Sequence, residues 1–155
     1  MAGKVEPIPE GYHSVTPYLT ISGAAQAIEF YKKAFGATEL MRMPAPGGKI
    51  GHAELKIGNS VIMLADESPE AGNRSPQSLG GTPVSILIYV EDVDAVFKRA
   101  VAAGAKVVRE VADQFYGDRS GGITDPFGHG WYIHTHIEDV TPQEIEKRLS
   151  AMASK

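Results

Sequence analysis

One pattern of hydrophobic and polar residues occurs twice along the chain, with a spacing of 69 positions. Residues 15–21 (VTPYLTI) and 84–90 (VSILIYV) are rich in β-branched and aromatic residues, which favours strands. After each strand, apolar residues recur three and four positions apart, which predicts a helix with one buried face. Those apolar positions are Ala24, Ala27, Ile28, Tyr31, Ala34 and Phe35 in the first copy, and Val93, Val96, Phe97, Ala100 and Val101 in the second.

The two predicted helices have recognisable ends. Ser22 and Asp92 stand at the starts, where a side-chain oxygen can accept a hydrogen bond from a backbone N–H of the first turn. Gly36 and Gly104 stand at the ends, where a helix commonly finishes in the left-handed conformation that glycine tolerates. Each copy is therefore expected to hold one bounded helix.

Three more strands are predicted after each helix, separated by turns rich in proline, glycine and asparagine. Each copy is therefore a predicted βαβββ module, covering residues 14–66 in the first copy and 83–140 in the second. The expected strands span about residues 38–43, 49–57 and 60–65, and then about 106–111, 121–125 and 130–137.

The rest of the chain is expected to form an N-terminal arm (1–13), a linker (67–82) and a C-terminal helix (141–155). The sequence TPQE at the start of that helix is typical of a capping box with proline at the first helical position. The helix carries an apolar stripe that needs a partner surface, so we expect a homodimer. The stripe consists of Ile145, Leu149 and Met152.

The predicted fold class is α+β. Two tandem βαβββ modules form curved sheets, with a helix on each convex face and a cleft between the concave faces, and a short C-terminal helix follows. The alternative is a pair of ferredoxin-like halves with no site between them.

Composition excludes several classes of function. The chain has 155 residues, a formal charge of −4 and no cysteine, which excludes disulfides, zinc–cysteine sites and thiolate catalysis. The slight acidity argues against general nucleic-acid binding. No apolar run approaches the length of a membrane span, and the sequence MAGKVEP at the start lacks the apolar core of a signal peptide. We therefore expect a cytoplasmic protein without membrane attachment.

Several short motifs resemble the vicinal oxygen chelate superfamily of glyoxalase I, extradiol dioxygenases and bleomycin-resistance proteins, and more narrowly its PhnB-like branch. They are AIEFYKKAFGA (27–37), GHAEL (51–55), QFYGDR (114–119), DPFGHGW (125–131) and THIEDV (135–140). The resemblance covers about residues 14–141. It implies paired βαβββ modules, frequent dimers and, in the members that use a metal, one divalent ion held by four side chains from the first and last strands of each module.

The four positions implied for such ligands are Thr16, Met63, Ser85 and Tyr132. The two hydroxyls are neutral, the thioether is soft, and the phenol would have to lose a proton whose ordinary pKa is about 10. Among the neighbouring residues, only His134 and His136 offer ligands. We therefore expect no metal and no other cofactor, and glyoxalase I chemistry is disfavoured.

Alternation along the strands indicates which side chains face the expected cleft. Because apolar residues should meet the helix, His52 and Glu54 should face away from it, as should Tyr132 and His134 on the last strand. In the His52–Glu54 pair, the glutamate either acts as a base or orients a ligand amine. The alternative is that the pair belongs to a solvated sheet face with partial cross-strand pairing. Arg119 either binds a carboxylate or phosphate, or pairs with Asp118 or Asp125 to hold its loop. The candidate ligand-binding residues are His52, Glu54, Met63, Tyr89, Arg119, Tyr132 and His134, and no catalytic residue is assigned.

Three functions follow from these observations. The favoured one is binding of a small amphipathic molecule in a metal-free cleft, because aromatic walls with a few polar groups suit such a ligand. The second is a lyase, isomerase or dioxygenase-like enzyme with a rearranged metal or acid/base site. The third is a structural or regulatory dimer with a vestigial cleft.

Overall fold

The computed structural model describes residues 3–154 and separates into two compact units, with the boundary between Gly81 and Thr82. The first unit contains β1 (Tyr18–Ile21), α1 (Ala24–Phe35), β2 (Thr38–Ala45), β3 (Lys49–Ile57), β4 (Ser60–Asp66) and α2 (Pro76–Leu79). The second contains β5 (Ser85–Tyr89), α3 (Val93–Ala102), β6 (Lys106–Asp113), β7 (Asp118–Thr124), β8 (Gly130–His136) and α4 (Pro142–Ala153). Each unit thus holds one strand–helix–three-strand module, which confirms the predicted α+β class.

Both modules build the same four-stranded sheet. The strand order is β1-β4-β3-β2 in the first and β5-β8-β7-β6 in the second, with the first and last strands of each module paired in parallel and the other pairs antiparallel. The registers also agree, because Thr20 pairs with Ala65 and, 69 positions later, Tyr89 pairs with His134. The repeat in the sequence is therefore a repeat in structure, position by position, along these strands.

Each helix covers one face of its own sheet, as the alternation predicts. In the first module α1 packs on β3, where Ala53, Leu55 and Ile57 are buried. In the second, α3 packs on β7 and β8, where Trp131 and Ile133 are buried. The other parity of each strand, which includes His52, Glu54, Tyr132 and His134, faces away from the helix, whereas Arg119 of β7 lies on the helix side and contacts Asp94 of α3.

The start of α1 corrects the prediction for Ser22. The residue before the helix is Gly23, in the left-handed conformation, and it provides no side-chain cap. Oδ1 of Asp66, at the end of β4, instead accepts hydrogen bonds from the backbone N–H groups of Gly23 (2.9 Å) and Ala24 (3.0 Å). The acceptor comes from a strand 43 positions away, so a search for a local capping residue could not find it.

The predicted cap of α3 is confirmed, since the Asp92 side chain accepts from the N–H of Ala95 at 3.1 Å. This helix also has an acceptor on the last strand of its module. Oγ1 of Thr135 accepts from the N–H of Val93 at 2.9 Å and donates to the carbonyl of Val90 at 2.8 Å. Thr135 stands 69 positions after Asp66, so both modules tie the helix start to the same point of the sheet.

Two segments differ from their predicted form. The end of the predicted arm is attached to the first module, because Tyr12 donates a hydrogen bond to Glu54 and the His13 ring bonds the Asn59 carbonyl at 3.0 Å. Strand β7 begins at Asp118 rather than at residue 121, because Asp118 pairs with His136 at the far end of β8. Asp118 and Arg119 are therefore strand residues and not loop residues.

Helix α4 begins as predicted, with the Thr141 side chain accepting from the N–H of Glu144 at 3.1 Å. Its stripe is uncovered, with Leu149 46% and Met152 55% exposed. The homodimer expected from this stripe stays a prediction. No helix in the described part of the chain combines the length and the apolar character needed to cross a membrane.

Candidate functional site

The first module joins four polar side chains into one network on the face of its sheet away from α1. Glu54 is buried, and its Oε1 accepts a hydrogen bond from the Tyr12 hydroxyl. Its Oε2 accepts a hydrogen bond from Nε2 of the His52 ring at 2.9 Å. The hydroxyl of Tyr18 hydrogen-bonds to Nδ1 of the same ring at 2.8 Å. The structure thus brings together the predicted pair His52 and Glu54, with a tyrosine at each end.

The electrostatics of this network favour an ionised Glu54. Hydrogen bonds from Tyr12 and then His52 lower the pKa of that carboxyl, against the opposing effect of burial. The bond to Glu54 raises the pKa of the Tyr12 hydroxyl. Because a carboxylate only accepts, Nε2 of His52 carries a proton, and its Nδ1 is engaged by Tyr18. Both ring nitrogens and both carboxylate oxygens are therefore occupied within the network.

A pocket of about 610 Å³ lies beside this network, within the first unit. Its volume falls in the range of roughly 300–1,000 Å³ that is typical of small-molecule sites. Tyr18 belongs to the wall, whereas His52, Glu54 and Met63 do not. The wall is formed by Tyr18, Thr20, Ala45, Pro46, Lys49, Ile50, Gly51, Ala65, Asp66, Glu67, Ser68, Glu70 and Asn73.

Two small residues of this wall correspond to two large ones in the second module. The paired residues Thr20 and Ala65 are the register equivalents of Tyr89 and His134. The first module therefore leaves space at positions that the second fills with a phenol and an imidazole.

In the second module, the carboxylate of Asp118 gathers three side chains. It is 4% exposed and accepts at Oδ2 from the Tyr89 hydroxyl (3.0 Å) and from Nδ1 of His134 (2.8 Å). Oδ1 bonds Nδ1 of His136 at 2.8 Å. His134 is itself only 6% exposed, with its ring against those of Tyr89 and Tyr116.

These contacts set the charges of the cluster. Burial raises the pKa of Asp118, but the hydrogen bonds from His134, His136 and Tyr89 outweigh it and leave that pKa below its usual range. The bond to Asp118 is also the main reason why the pKa of Tyr89 is raised. An ionised Asp118 accepts from every partner, so Nδ1 of His134 carries a proton.

His136 lies between two carboxylates. Its Nδ1 bonds Asp118 and its Nε2 bonds Oδ1 of Asp139 at 2.7 Å, so both nitrogens act as donors. The bonds to Asp118 and then Asp139 raise the pKa of this imidazole. The arrangement favours an imidazolium.

We expect His136→Gln to reduce stability more at about pH 5.5 than at about pH 9. A raised pKa means that the stabilising charge is fully present below the ordinary value of about 6.5 and is lost as pH rises through the raised value. Urea denaturation of both proteins at the two pH values measures the difference. The control is His13→Gln, whose ring contacts a carbonyl, and an equal gap at both pH values would contradict the expectation.

Three further candidates have different surroundings. Met63 lies in β4 between its strand partners Tyr18 and Glu54, and the Tyr132 ring lies beneath the Arg109 guanidinium at 5.8 Å. Arg119 does not pair with Asp118 or Asp125. It is held instead by Asp94 (2.8 and 2.9 Å) and Asp113 (2.9 Å). The ligand-binding roles of these residues stay predictions.

Sequence reasoning missed three residues of the two networks: Tyr12, Tyr116 and Asp118. Tyr12 lies in the N-terminal arm, 42 positions away in the sequence from its partner Glu54. Asp118 followed a glycine and was interpreted as part of a loop. If the pairing of β7 with β8 is extended to its last pair, Asp118 with His136, the Asp118 carboxylate lies beside both His134 and His136.

The four positions that the family resemblance implies for metal ligands carry side chains that are poor ligands for a divalent ion. Thr16 and Ser85 offer neutral hydroxyls, Met63 a thioether and Tyr132 a phenol. Such a set does not fit a divalent ion that prefers carboxylate and imidazole ligands. Within residues 3–154, no group of three or more histidine, aspartate or glutamate side chains is arranged to hold a metal ion.

Comparison with known proteins identifies the family. The chain is 47% identical over 154 residues to the uncharacterized protein Mb0911c of Mycobacterium bovis, covering 97% of each chain. It resembles the crystal structure of TioX from Micromonospora (29% identity, TM-score 0.63, 81% of this chain and 99% of that one). A PhnB protein from Bacillus cereus shares the fold (17% identity, TM-score 0.61, 79% and 99% covered).

The family model of the glyoxalase/bleomycin resistance protein/dioxygenase superfamily matches residues 12–133. This span includes both βαβββ modules except the last residues of β8. The chain therefore belongs to the glyoxalase/bleomycin resistance protein/dioxygenase superfamily.

Proposed function

We propose that this chain binds a small amphipathic molecule without a resident metal ion, and that the pocket of the first module holds it. The observation that carries the proposal is the pocket itself, which has the volume of a small-molecule site and a wall of mixed character. Tyr18, Pro46 and Ile50 supply apolar surface, whereas Lys49 and Asp66 supply charge. A ligand with an apolar body and one polar end matches such a wall.

The charges of the wall favour a cationic end. Three carboxyl groups, those of Asp66, Glu67 and Glu70, line the pocket together with one lysine. Asp66 is engaged by backbone N–H groups, and Glu67 bonds Ser78 and the N–H of Ser75. Glu70 is exposed at the pocket wall. An ammonium group is therefore the expected polar end, with an aromatic or aliphatic body against Tyr18.

Thermal unfolding in the presence of benzylamine, benzoate and phenylphosphonate tests the proposal. At about 100 times its dissociation constant, a ligand of the folded state adds about 2.7 kcal/mol, which raises the melting temperature by roughly 5–10 °C for a chain of this size. We expect benzylamine to give the largest rise, and the same rise in the presence of EDTA. A rise that EDTA abolishes would contradict binding without a metal.

A variant that fills the pocket locates the ligand. Ala65→His introduces the residue that the second module has at the equivalent position, so the strand should accommodate it. We expect this variant to fold and to lose the benzylamine effect. Ser60→His, an exposed position at the start of the same strand, is the matched control and should keep it. Equal responses from the two variants would place the ligand elsewhere. The cleft expected from the sequence stays a prediction.

A further inference from the structure

His134 presents one ring nitrogen that the network of the second module does not use. Its Nδ1 bonds Asp118, and Nε2 has no hydrogen-bond partner within residues 3–154. In the same part of the chain, every fully buried side-chain nitrogen or oxygen has a partner. Nε2 is therefore accessible to solvent. Since Asp118 fixes the proton on Nδ1, the neutral ring exposes its lone pair at Nε2 as a hydrogen-bond acceptor.

Two aromatic rings contact the His134 ring. The Tyr116 ring stacks against the His134 ring, with 6.3 Å between centroids and an angle of 26° between planes. The Tyr89 ring stands at 68° to it, with 5.7 Å between centroids, and is 64% exposed. Planar surfaces at these angles suit another aromatic ring, through stacked or edge-to-face contact. In the first module the register equivalents are Thr20 and Ala65, which offer neither feature.

The charges behind His134 select the kind of polar group that can approach. The Asp118 carboxylate bonds Nδ1 of the ring, and the His136 imidazolium lies between Asp118 and Asp139, so these three groups together carry a net negative charge. An anionic ligand group would be repelled by these carboxylates, and it would have no proton to donate to Nε2. A neutral hydroxyl can donate a hydrogen bond to the lone pair at Nε2.

We infer that the second module binds a phenol, whose hydroxyl donates to Nε2 of His134 and whose ring lies against Tyr89 and Tyr116. This inference rests on residues of the second module alone and does not require the proposed function of the first.

Titration of the protein with p-nitrophenol and with p-nitroanisole tests the inference, because the two probes differ in the hydroxyl proton. The pH is kept below the ordinary pKa of the phenol. The acceptor ring is itself bonded to the Asp118 carboxylate, and a hydrogen bond that involves a charged group contributes about 1.4 kcal/mol or more. The phenol should therefore bind at least about tenfold more tightly than the anisole. Its absorption should also shift towards that of the phenolate on binding.

Two variants assign these effects to His134. His134→Phe removes the acceptor and should abolish both the tenfold preference and the spectral shift, whereas His13→Gln, in the arm, should keep both. Tyr116→Leu removes the stacked ring and should weaken both probes by a similar factor. The comparison of the two probes on the unmodified chain needs no variant, so a variant that fails to fold leaves the test intact.

Equal binding of the two probes, a spectral shift that persists in His134→Phe, or no binding of either probe would each overturn the inference. None of these results affects the benzylamine measurement, which decides the proposed function of the first module. A phenol effect without any benzylamine effect would support the site at His134 and contradict the pocket as a ligand site.

Discussion

Replacing Asp118 by asparagine is expected to lower the free energy of unfolding by about 3 kcal/mol at pH 7. The buried carboxylate accepts from Tyr89, His134 and His136, and an amide can accept at one atom only. The amide NH₂ would then face a side chain that is itself a donor. Urea denaturation of the two proteins measures the loss.

The pH dependence of this loss has a definite sign. The pKa of Asp118 is lowered by folding, so its contribution is fully present above the unfolded value of about 3.9 and disappears as pH falls through the folded value. The difference in free energy of unfolding between the unmodified protein and Asp118→Asn should therefore become smaller as the pH is lowered. Asp113→Asn is the matched control, because its carboxylate is exposed and bonds Arg119 at the surface, where ion pairs contribute about 0–1 kcal/mol. Equal losses from the two variants would show that Asp118 is not the centre of the network.

Gly117→Ala is expected to destabilise the second module by about 3 kcal/mol or more. A Cβ at this residue would overlap the Glu138 carbonyl oxygen and lie 3.0 Å from Cγ2 of Val140, and φ is +103°. The carbonyl of Gly117 also accepts from the N–H groups of Ile137 and Glu138, so the two backbones cannot separate without losing these bonds.

The control for this variant separates the two causes of the loss. Gly80→Ala shares a positive φ, +85°, but an added Cβ would have no atom within 4 Å. It should cost only the conformational penalty, roughly 1–2 kcal/mol. Thermal or urea unfolding of both variants gives the comparison, and a Gly117→Ala loss no larger than that of Gly80→Ala would mean that the backbone relaxes around the new methyl group.

Local pattern predicted the fold because the helix and strand periods are properties of neighbouring residues. The alternation of Ala53 and Leu55 with Glu54 defined the buried face of β3, and the equivalent alternation defined that of β8. The pair His52 and Glu54 could also be predicted, since residues two positions apart on a strand share a face. Their contact at 2.9 Å needs only that local geometry.

The remaining parts of the networks depend on contacts between distant segments. The partner of Glu54 in the arm, Tyr12, is 42 positions away, and the acceptor at the start of α1 is 42–43 positions away. The helix and strand periodicities of the sequence contain no information about contacts between residues this far apart. Asp118 could be placed only once the extent of the β7–β8 pairing was known, because that pairing decides whether the residue belongs to a loop or to a buried strand.

The ties between helix and last strand also determine when each module can form during protein synthesis. The N–H groups that open α1 find their acceptor only when Asp66 is present, and that of Val93 only when Thr135 is present. A nascent chain that ends within β3 therefore lacks the residue that fixes the start of α1. Because each tie closes within its own module, the first module can complete its fold on the ribosome while the second is still being translated. The loop closed by each tie is similar in length, so the entropic cost of closure is nearly the same in both.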